Sequence, residues 1–303
     1  MPDILSLGEP MAEFAALERG RLSRVITFRR GWGGDTSNFI VAAARLGAEA
    51  GYVTRLGDDE FGQSFLDLWG AEGVDTSRVI VEKGGFTAVY FISLDEAGRH
   101  SFTYYRAASA ASRLSPADLD AGYVRTARVV HTSGITQAIS PSARETAVEA
   151  MRMARAYGVT VSYDANVRPR LMALDRLRAI VLDAFERADI VFLSLEDAGY
   201  LYGSAPPEEI VDRVLACGPK IAVLRQGPAG CLVATADGRR IGVPGWSVEA
   251  VDATGAGDAF NAGFLVQWLA GTDLEEAARF ANAVGALTTQ GIGAVAPIPR
   301  RAQ

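Results

Sequence analysis

Short apolar runs at residues 4–7, 50–54, 128–131, 159–163, 190–193 and 221–224 alternate with segments of helical period at 37–46, 60–70, 142–157, 174–187 and 207–216. Runs this short suit strands rather than helices, and strands that alternate with helices return to one another as parallel neighbours. The pattern predicts an α/β fold, a largely parallel sheet with helices on both faces. Two stretches, 12–29 and 86–106, break the alternation. They are β-rich, have turns near Arg19-Gly20 and Ala97-Gly98, and lack helical period. Paired with one another, they make a small sheet over the C-terminal edge of the main one, where open α/β sheets bind ligands. The expected organisation is a single domain, residues 1–303, carrying that small β-sheet as a lid.

Composition fits one such domain. With 303 residues, 49% of them apolar, the chain can bury a large core. A net charge of -6 argues against gripping nucleic acid or an anionic membrane as the main task. Residues 1–8 show no signal-peptide pattern and no apolar run approaches the ~20 residues that span a bilayer, so a cytoplasmic location is expected. Cys217 and Cys231 lack metal or redox spacing and read as reduced, small apolar residues. Of the 30 basic residues all but Lys83 and Lys220 are arginine, and neither lysine lies in a GxxxxGK[ST] setting. That pattern excludes a P-loop NTPase and a protein kinase. Any phosphate must then be held by backbone N–H groups, arginine or a metal.

Near the C-terminus, Asp252-Ala253-Thr254-Gly255-Ala256-Gly257-Asp258-Ala259-Phe260 feeds a glycine-rich turn into a helix. Glycine tolerates the crowded or left-handed backbone of such a turn. The N–H groups of Gly255, Ala256 and Gly257 can therefore converge on an anion at the helix N-terminus. Asp258 beside them can take the proton of an attacking hydroxyl while the N–H groups hold the charge of a phosphoryl group in transit. The following Phe260, Phe264, Leu265, Trp268 and Leu269 suggest a helix with one apolar face. A second cluster, Gly31-Trp32-Gly33-Gly34-Asp35-Thr36-Ser37-Asn38, comes too late after the first strand for a dinucleotide fingerprint. It allows close backbone approach to a polyhydroxylated ligand, with Asp35 and Asn38 as hydroxyl partners. Asp35 or Ser37 can equally act as a helix cap.

Together the two clusters resemble the paired signatures of the ribokinase-like (PfkB) sugar kinases, and the likeness runs over nearly the whole chain. Within that family the chain is most similar to 2-keto-3-deoxygluconate kinases, through Phe102-Thr103-Tyr104-Tyr105-Arg106, His131-Thr132-Ser133-Gly134-Ile135 and Asp164-Ala165-Asn166-Val167-Arg168-Pro169-Arg170-Leu171. The resemblance implies transfer of phosphate from ATP, with Mg²⁺, to a sugar hydroxyl under a closing lid. Asp258 is then the base and Gly255, Ala256 and Gly257 the anion hole. The sugar side becomes Gly33, Gly34, Asp35, Asn38, Tyr90, Tyr104, Arg106 and Arg168. A guanidinium grips a carboxylate bidentately, which suits Arg106 and Arg168 to a sugar acid, whereas Arg170 reads as a surface residue. The nucleotide side becomes Ser194, Arg225, Gly227, Gly230, Gly255, Gly257, Asn282 and Ala286, although close helix packing explains the small residues around Asn282 and Ala286 equally well. Ser194-Leu195-Glu196-Asp197 departs from the family's Asn-x-x-Glu, which leaves Asp197 as a candidate support for the metal.

Fructokinase or ribokinase activity remains an alternative, as does a non-catalytic sugar-binding protein on the same scaffold. His131 and His100 lack a ligand set and are expected to be structural. Alternation places Tyr104 and Arg106 on one lid face, with Phe14, Phe28, Phe91 and Tyr105 on the other. That apolar outer face predicts a homodimer packed lid to lid, or a higher assembly of such dimers.

Overall fold

A computed structural model describes residues 1–94 and 100–303; the expected turn at Ala97-Gly98 lies outside them. The first half of the chain forms β1 (Ile4–Leu7), β2 (Met11–Arg19), β3 (Phe28–Gly33), α1 (Asp35–Arg45), β4 (Ala50–Gly57), α2 (Glu60–Ala71), β5 (Asp75–Glu82), β6 (Ala88–Leu94), β7 (His100–Tyr105), α3 (Ala121–Thr126), β8 (Val129–Ser133), α4 (Gly134–Ala138) and α5 (Pro141–Ala156). The second half forms β9 (Thr160–Asp164), α6 (Leu174–Arg187), β10 (Ile190–Ser194), α7 (Leu195–Tyr202), α8 (Pro207–Ala216), β11 (Ile221–Arg225), β12 (Cys231–Thr235), β13 (Arg240–Val243), α9 (Ala256–Leu269) and α10 (Leu274–Thr288).

Nine strands form the main sheet in the order β13-β12-β11-β10-β9-β8-β1-β4-β5. The six apolar runs are its parallel centre. Their side chains alternate between two cores: Ile4, Phe192 and Val223 join Phe39, Trp69 and Phe264 on one face, while Leu5, Leu224 and Val191 join Met151, Tyr163 and Phe185 on the other. Burial on both faces is why these strands read as unbroken apolar runs. Each fully buried Leu, Ile or Phe contributes about 1.5–3 kcal/mol. Both edges depart from the simple parallel picture. β5 pairs parallel to β4 but carries exposed polar residues, and β12 and β13 add two antiparallel strands beyond β11.

Helix α9 corrects the expectation of a single apolar face. Residues Ala259 to Val266 are buried without interruption, because the helix packs against α1 on one flank and α10 on another. A helix covered on several sides needs no polar stripe. Gly263 provides the fit to α10, since a Cβ there would stand 3.3 Å from the Ala281 Cα.

The two β-rich excursions join as expected in a separate four-stranded sheet, ordered β3-β2-β6-β7. β2 and β6 run parallel at its centre, and β3 and β7 flank them antiparallel. Its inner face carries Met11, Ala15, Tyr90 and Ile92 packed with Phe102. Tyr104 stacks on Tyr90 at a centroid distance of 5.9 Å. The outer face gathers Phe14, Phe28, Phe91 and Tyr105 in ring contact. Phe61 of α2 covers Phe14 edge-on, while Tyr105 stays 61% exposed. Among the described residues no helix is long and apolar enough to cross a membrane. Cys217 and Cys231 are both free thiols.

Candidate active site

The two glycine clusters, more than two hundred residues apart in sequence, meet through one hydrogen bond: the Asn38 amide donates to Asp258 Oδ2 at 2.9 Å with a separation of 220 residues. Asp258 sits in the first turn of α9, whose N-cap is Gly255 at φ 79°. Glycine is required there twice over, by the left-handed backbone and because a Cβ would lie 2.4 Å from the Ala294 carbonyl oxygen. First-turn N–H groups have no partner inside a helix, and Gly255 brings no side chain to satisfy them. Such a terminus is able to hold an anion. One detail differs from expectation: the Ala256 N–H turns back to the Ala253 carbonyl at 3.2 Å, so it is already engaged. Asp252 holds the turn from outside, accepting from the Thr254 N–H at 2.9 Å and hydroxyl at 2.6 Å.

Beneath this terminus lies a buried polar pillar. Arg225, ending β11, donates through both terminal nitrogens to Asp164, ending β9, at 2.9 and 3.1 Å. The same guanidinium reaches Asn261 Oδ1 at 2.6 Å and the Gly257 carbonyl at 3.2 Å. Asn261, one turn beyond Asp258 on α9, closes the loop by donating to Asp164 at 2.8 Å. Burial lowers an arginine's pKa, but Asp164, aided by the Asp197 and Asp258 charges, outweighs it and holds Arg225 above its usual value. Arg225 therefore points inward, bracing the anion hole.

Burial pushes the Asp258 carboxyl well above the usual carboxylate range; the Asp35 charge adds to the rise, and the Asn38 amide opposes it. Asp35 is raised by burial too. Its two oxygens accept from the Thr36 N–H and, at 2.9 Å, from the Asn166 amide. Neither Asp35 nor Ser37 caps α1. The cap is Gly34, at φ 96°, where a Cβ would collide with the Glu9 carbonyl, and Ser37 instead accepts from the Trp69 indole at 3.2 Å.

The lid supplies the other wall. Tyr90 donates its hydroxyl to Glu13, and Gly33 leaves the space for that hydroxyl. Arg106 pairs with Glu9, which also accepts from Ser109 at 3.1 Å, and its guanidinium lies 5.6 Å from the Tyr104 ring centroid. Burial raises Glu9 against the opposing pull of Arg106 and Ser109. Two buried atoms on this side lack partners among the described residues, Arg106 Nε and Asn38 Oδ1. Tyr104 is 37% exposed and Arg168, whose guanidinium is 3.9 Å from Asp197, is 45% exposed at its side chain.

On the nucleotide side Ser194 and Arg225 are register partners at neighbouring strand ends. Ser194 forms a reciprocal cap with Asp197, whose other oxygen accepts the Val167 N–H at 2.7 Å. Both Asp197 oxygens are thus engaged in local hydrogen bonds, and the described residues contain no cluster of three His, Cys, Asp or Glu able to hold a metal. Mg²⁺ would then fit as an ion carried in with nucleotide phosphates rather than in a cage of side chains. Gly230, at φ 102°, turns against the Val243 carbonyl, while Gly227 lies in open space. Asn282 donates to the Val243 and Pro244 carbonyls at 3.2 Å, and Ala286 follows Gly285, which abuts the Ala256 carbonyl. His131 stacks on Phe39 at 3.7 Å, and burial lowers it to about 3, so it stays neutral and structural.

Glu9, Glu13, Asp164 and Asn261 were not singled out as site residues from sequence. Asp164 carries the clearest overlooked signal, a charged residue closing an otherwise apolar parallel strand at the edge where such sheets bind ligands.

Residues 1–301 match the pfkB family carbohydrate kinase description. Fructokinase-2 of Zea mays is 36% identical, over 98% of this chain and 91% of its own. The 2-dehydro-3-deoxygluconokinase of Escherichia coli K12 is 35% identical, over 99% of this chain and 98% of its own. A putative ribokinase II from E. coli, in complex with ATP and Mg²⁺, superposes with a TM-score of 0.92 at 25% identity, covering 100% of this chain and 97% of that one. With this fold and a match of this extent, the chain belongs to the pfkB family of carbohydrate kinases.

Proposed function

We propose that this carbohydrate kinase phosphorylates 2-keto-3-deoxygluconate (2-dehydro-3-deoxygluconate) at its 6-hydroxyl, using ATP. The observation that carries the choice of a sugar acid is Arg106: its buried Nε has no partner among the described residues, and it shares the lid's inner face with Tyr90 and Tyr104. A buried guanidinium nitrogen left unbonded is costly, and a ligand carboxylate would satisfy it. Arg168, half-exposed above Asp197, is the second candidate for that carboxylate.

In the reaction Asp258 takes the proton as the sugar oxygen bonds to the γ-phosphorus and the bond to the β-phosphate oxygen breaks, releasing ADP. Its raised basicity suits this task, and Asn38 orients it. The N–H groups at the start of α9 face the charge that builds on the phosphoryl oxygens. Mg²⁺ bound with the nucleotide supplies further charge neutralisation. Asp35, whose oxygens each retain acceptor capacity, is assigned to the sugar hydroxyls, with Gly33 and Gly34 permitting close approach. Ser194, Gly227, Gly230, Asn282 and Ala286 are assigned to the nucleotide side, and Arg225 supports it from below. The reaction is assigned to the cytoplasm, where ATP is supplied.

A second reading, fructokinase, draws on the Glu9 pairing, which already neutralises much of the Arg106 charge, and on the near-equal identity to fructokinases. ADP release measured against 2-keto-3-deoxygluconate, fructose and ribose separates the two. A kcat/KM at least tenfold higher for the acid supports the first, and the reverse order establishes the second. We also propose a homodimer through the outer lid face, where Tyr105 stands exposed beside a half-buried Phe91. A monomer in light scattering at micromolar concentration with full activity removes that assignment.

A further inference from the structure

Glu13 lies at the centre of the lid's inner face, directly opposite Tyr90 on β6 and Gly31 on β3. It is 2% exposed, a rare place for a carboxylate without a guanidinium on it. Three glycines make the room. A Cβ at Gly31 or at Gly293 would come within 2.8 Å of Glu13 Oε1, and one at Gly33 would strike the Tyr90 hydroxyl bonded to Glu13 Oε2. Gly31 and Gly33 belong to the lid, but Gly293 belongs to the segment after α10, so the carboxylate bridges two separate parts of the molecule.

That segment continues to the anion hole. The Ala294 backbone supports the Glu13 charge from one side, while the Ala294 carbonyl packs where a Gly255 Cβ would be. The neighbouring Gly293 N–H donates to Asp252 Oδ2 at 2.9 Å, and the other Asp252 oxygen holds Thr254. A continuous path of contacts therefore runs from Tyr90 through Glu13, Gly293 and Ala294 to Asp252, Thr254 and Gly255. It links the strand that faces the sugar with the turn that faces the phosphate.

We propose that Glu13 is a positioning residue that couples the lid to the anion-hole turn, so that a sugar seated under the lid tightens the site for the nucleotide. The proposal rests on the kinase reading above. Glu13 acts through Tyr90 and the 293–294 backbone and touches neither reacting group. Its two oxygens meet two different elements, Oε2 the Tyr90 hydroxyl and Oε1 the Gly293 backbone, and glutamine keeps an oxygen for only one of them.

The test is the coupling factor between ligands. Binding of a non-hydrolysable ATP analogue with Mg²⁺ is measured by calorimetry with and without saturating sugar, chosen as whichever of 2-keto-3-deoxygluconate and fructose wild type turns over faster. Failure of wild type to phosphorylate either sugar refutes the substrate reading on which this proposal rests, and the proposal with it. Where wild type is active, the expected result is a factor of about 5 or more in wild type, the lower end of usual couplings. It falls to within twofold of unity in Glu13→Ala, with analogue affinity in the absence of sugar unchanged, and takes an intermediate value in Glu13→Gln. Tyr90→Phe, which cuts the path on the lid side, should also lower it. A wild-type factor of one, a Glu13→Gln variant with the full wild-type factor, or equal loss of analogue affinity with and without sugar overturns the proposal, the last by revealing a merely structural role. If Glu13→Ala does not fold, the Glu13→Gln and Tyr90→Phe factors decide.

Discussion

The pillar under the anion hole and the lid above it both bury charge, but they complete their hydrogen bonds differently. In the pillar every strong group is matched: Arg225 meets Asp164, Asn261 and the Gly257 carbonyl, and Asn261 returns to Asp164. On the lid side Arg106 keeps an unbonded Nε, Asn38 an unbonded Oδ1, and Glu13 a carboxyl that burial raises to about 7 despite the Tyr90 hydrogen bond. A satisfied network is rigid without a ligand, and an unsatisfied one is finished by a ligand. Under the function proposed above, the preformed half handles the phosphate and the adjustable half recognises the sugar.

The sharpest break comes at the point where the halves touch. Asp258→Asn keeps the shape and the Asn38 contact but removes the base, so turnover should fall roughly 10²- to 10⁴-fold with sugar affinity retained. Near-normal turnover in steady-state assays would remove Asp258 from the chemistry. Next, Arg225→Met strands the buried Asp164 carboxylate. Removing one partner of a buried pair costs about 3–5 kcal/mol, which urea unfolding would detect. A loss below about 1 kcal/mol would mean that the pillar is no more rigid than the lid.

How much of this contrast was legible beforehand follows from where the physics is local. The six central strands, and helices such as α6 and α8, announced themselves because burial on both sheet faces and helical amphipathicity are written in consecutive residues. β12 and β13 did not, since short strands in an antiparallel edge resemble loops, and β5 resembles a charged surface segment. The glycine turns were readable because Gly255 and Gly34 answer to positive φ and to backbone contact. The partners of Arg225 and Arg106 were not readable: whether an arginine faces a ligand or a buried carboxylate depends on residues up to 97 positions away, such as Glu9 for Arg106.

A pH experiment sharpens the lid side of the comparison. Glu13 titrates near 7 when folded and near 4.3 in the unfolded chain, so between those values the folded state holds a proton that the unfolded state releases. The proton's contribution to stability is complete below about 4.3 and disappears as pH rises through 7, by roughly 3.5–4 kcal/mol in total. Glu13→Gln lacks this slope. Glu9, Asp35 and Asp258 titrate in both proteins, so the wild-type minus variant difference in unfolding free energy isolates Glu13. A difference that stays flat between pH 4.5 and 7.5 would show the carboxyl to be ordinarily solvated, and the lid no less satisfied than the pillar.

The smallest expected effect asks what completes the lid side. Arg106→Ala and Arg168→Ala should each weaken a sugar acid by about 1.5–3 kcal/mol, the scale of hydrogen bonds to charged groups. Affinity for ATP should change little. Arg106→Ala also frees the buried Glu9, which then takes up a proton rather than remain charged without its partner, so absolute activity alone is an ambiguous readout. The decisive quantity is the ratio of kcat/KM for 2-keto-3-deoxygluconate to that for fructose, in which general damage to the lid cancels. If Arg106 Nε awaits a carboxylate, the ratio drops in Arg106→Ala, and Arg106→Lys, which cannot present two parallel N–H groups, recovers little of it. If the ratio is unchanged while both sugars weaken together, Arg106 serves Glu9 alone and neutral hydroxyls complete the site.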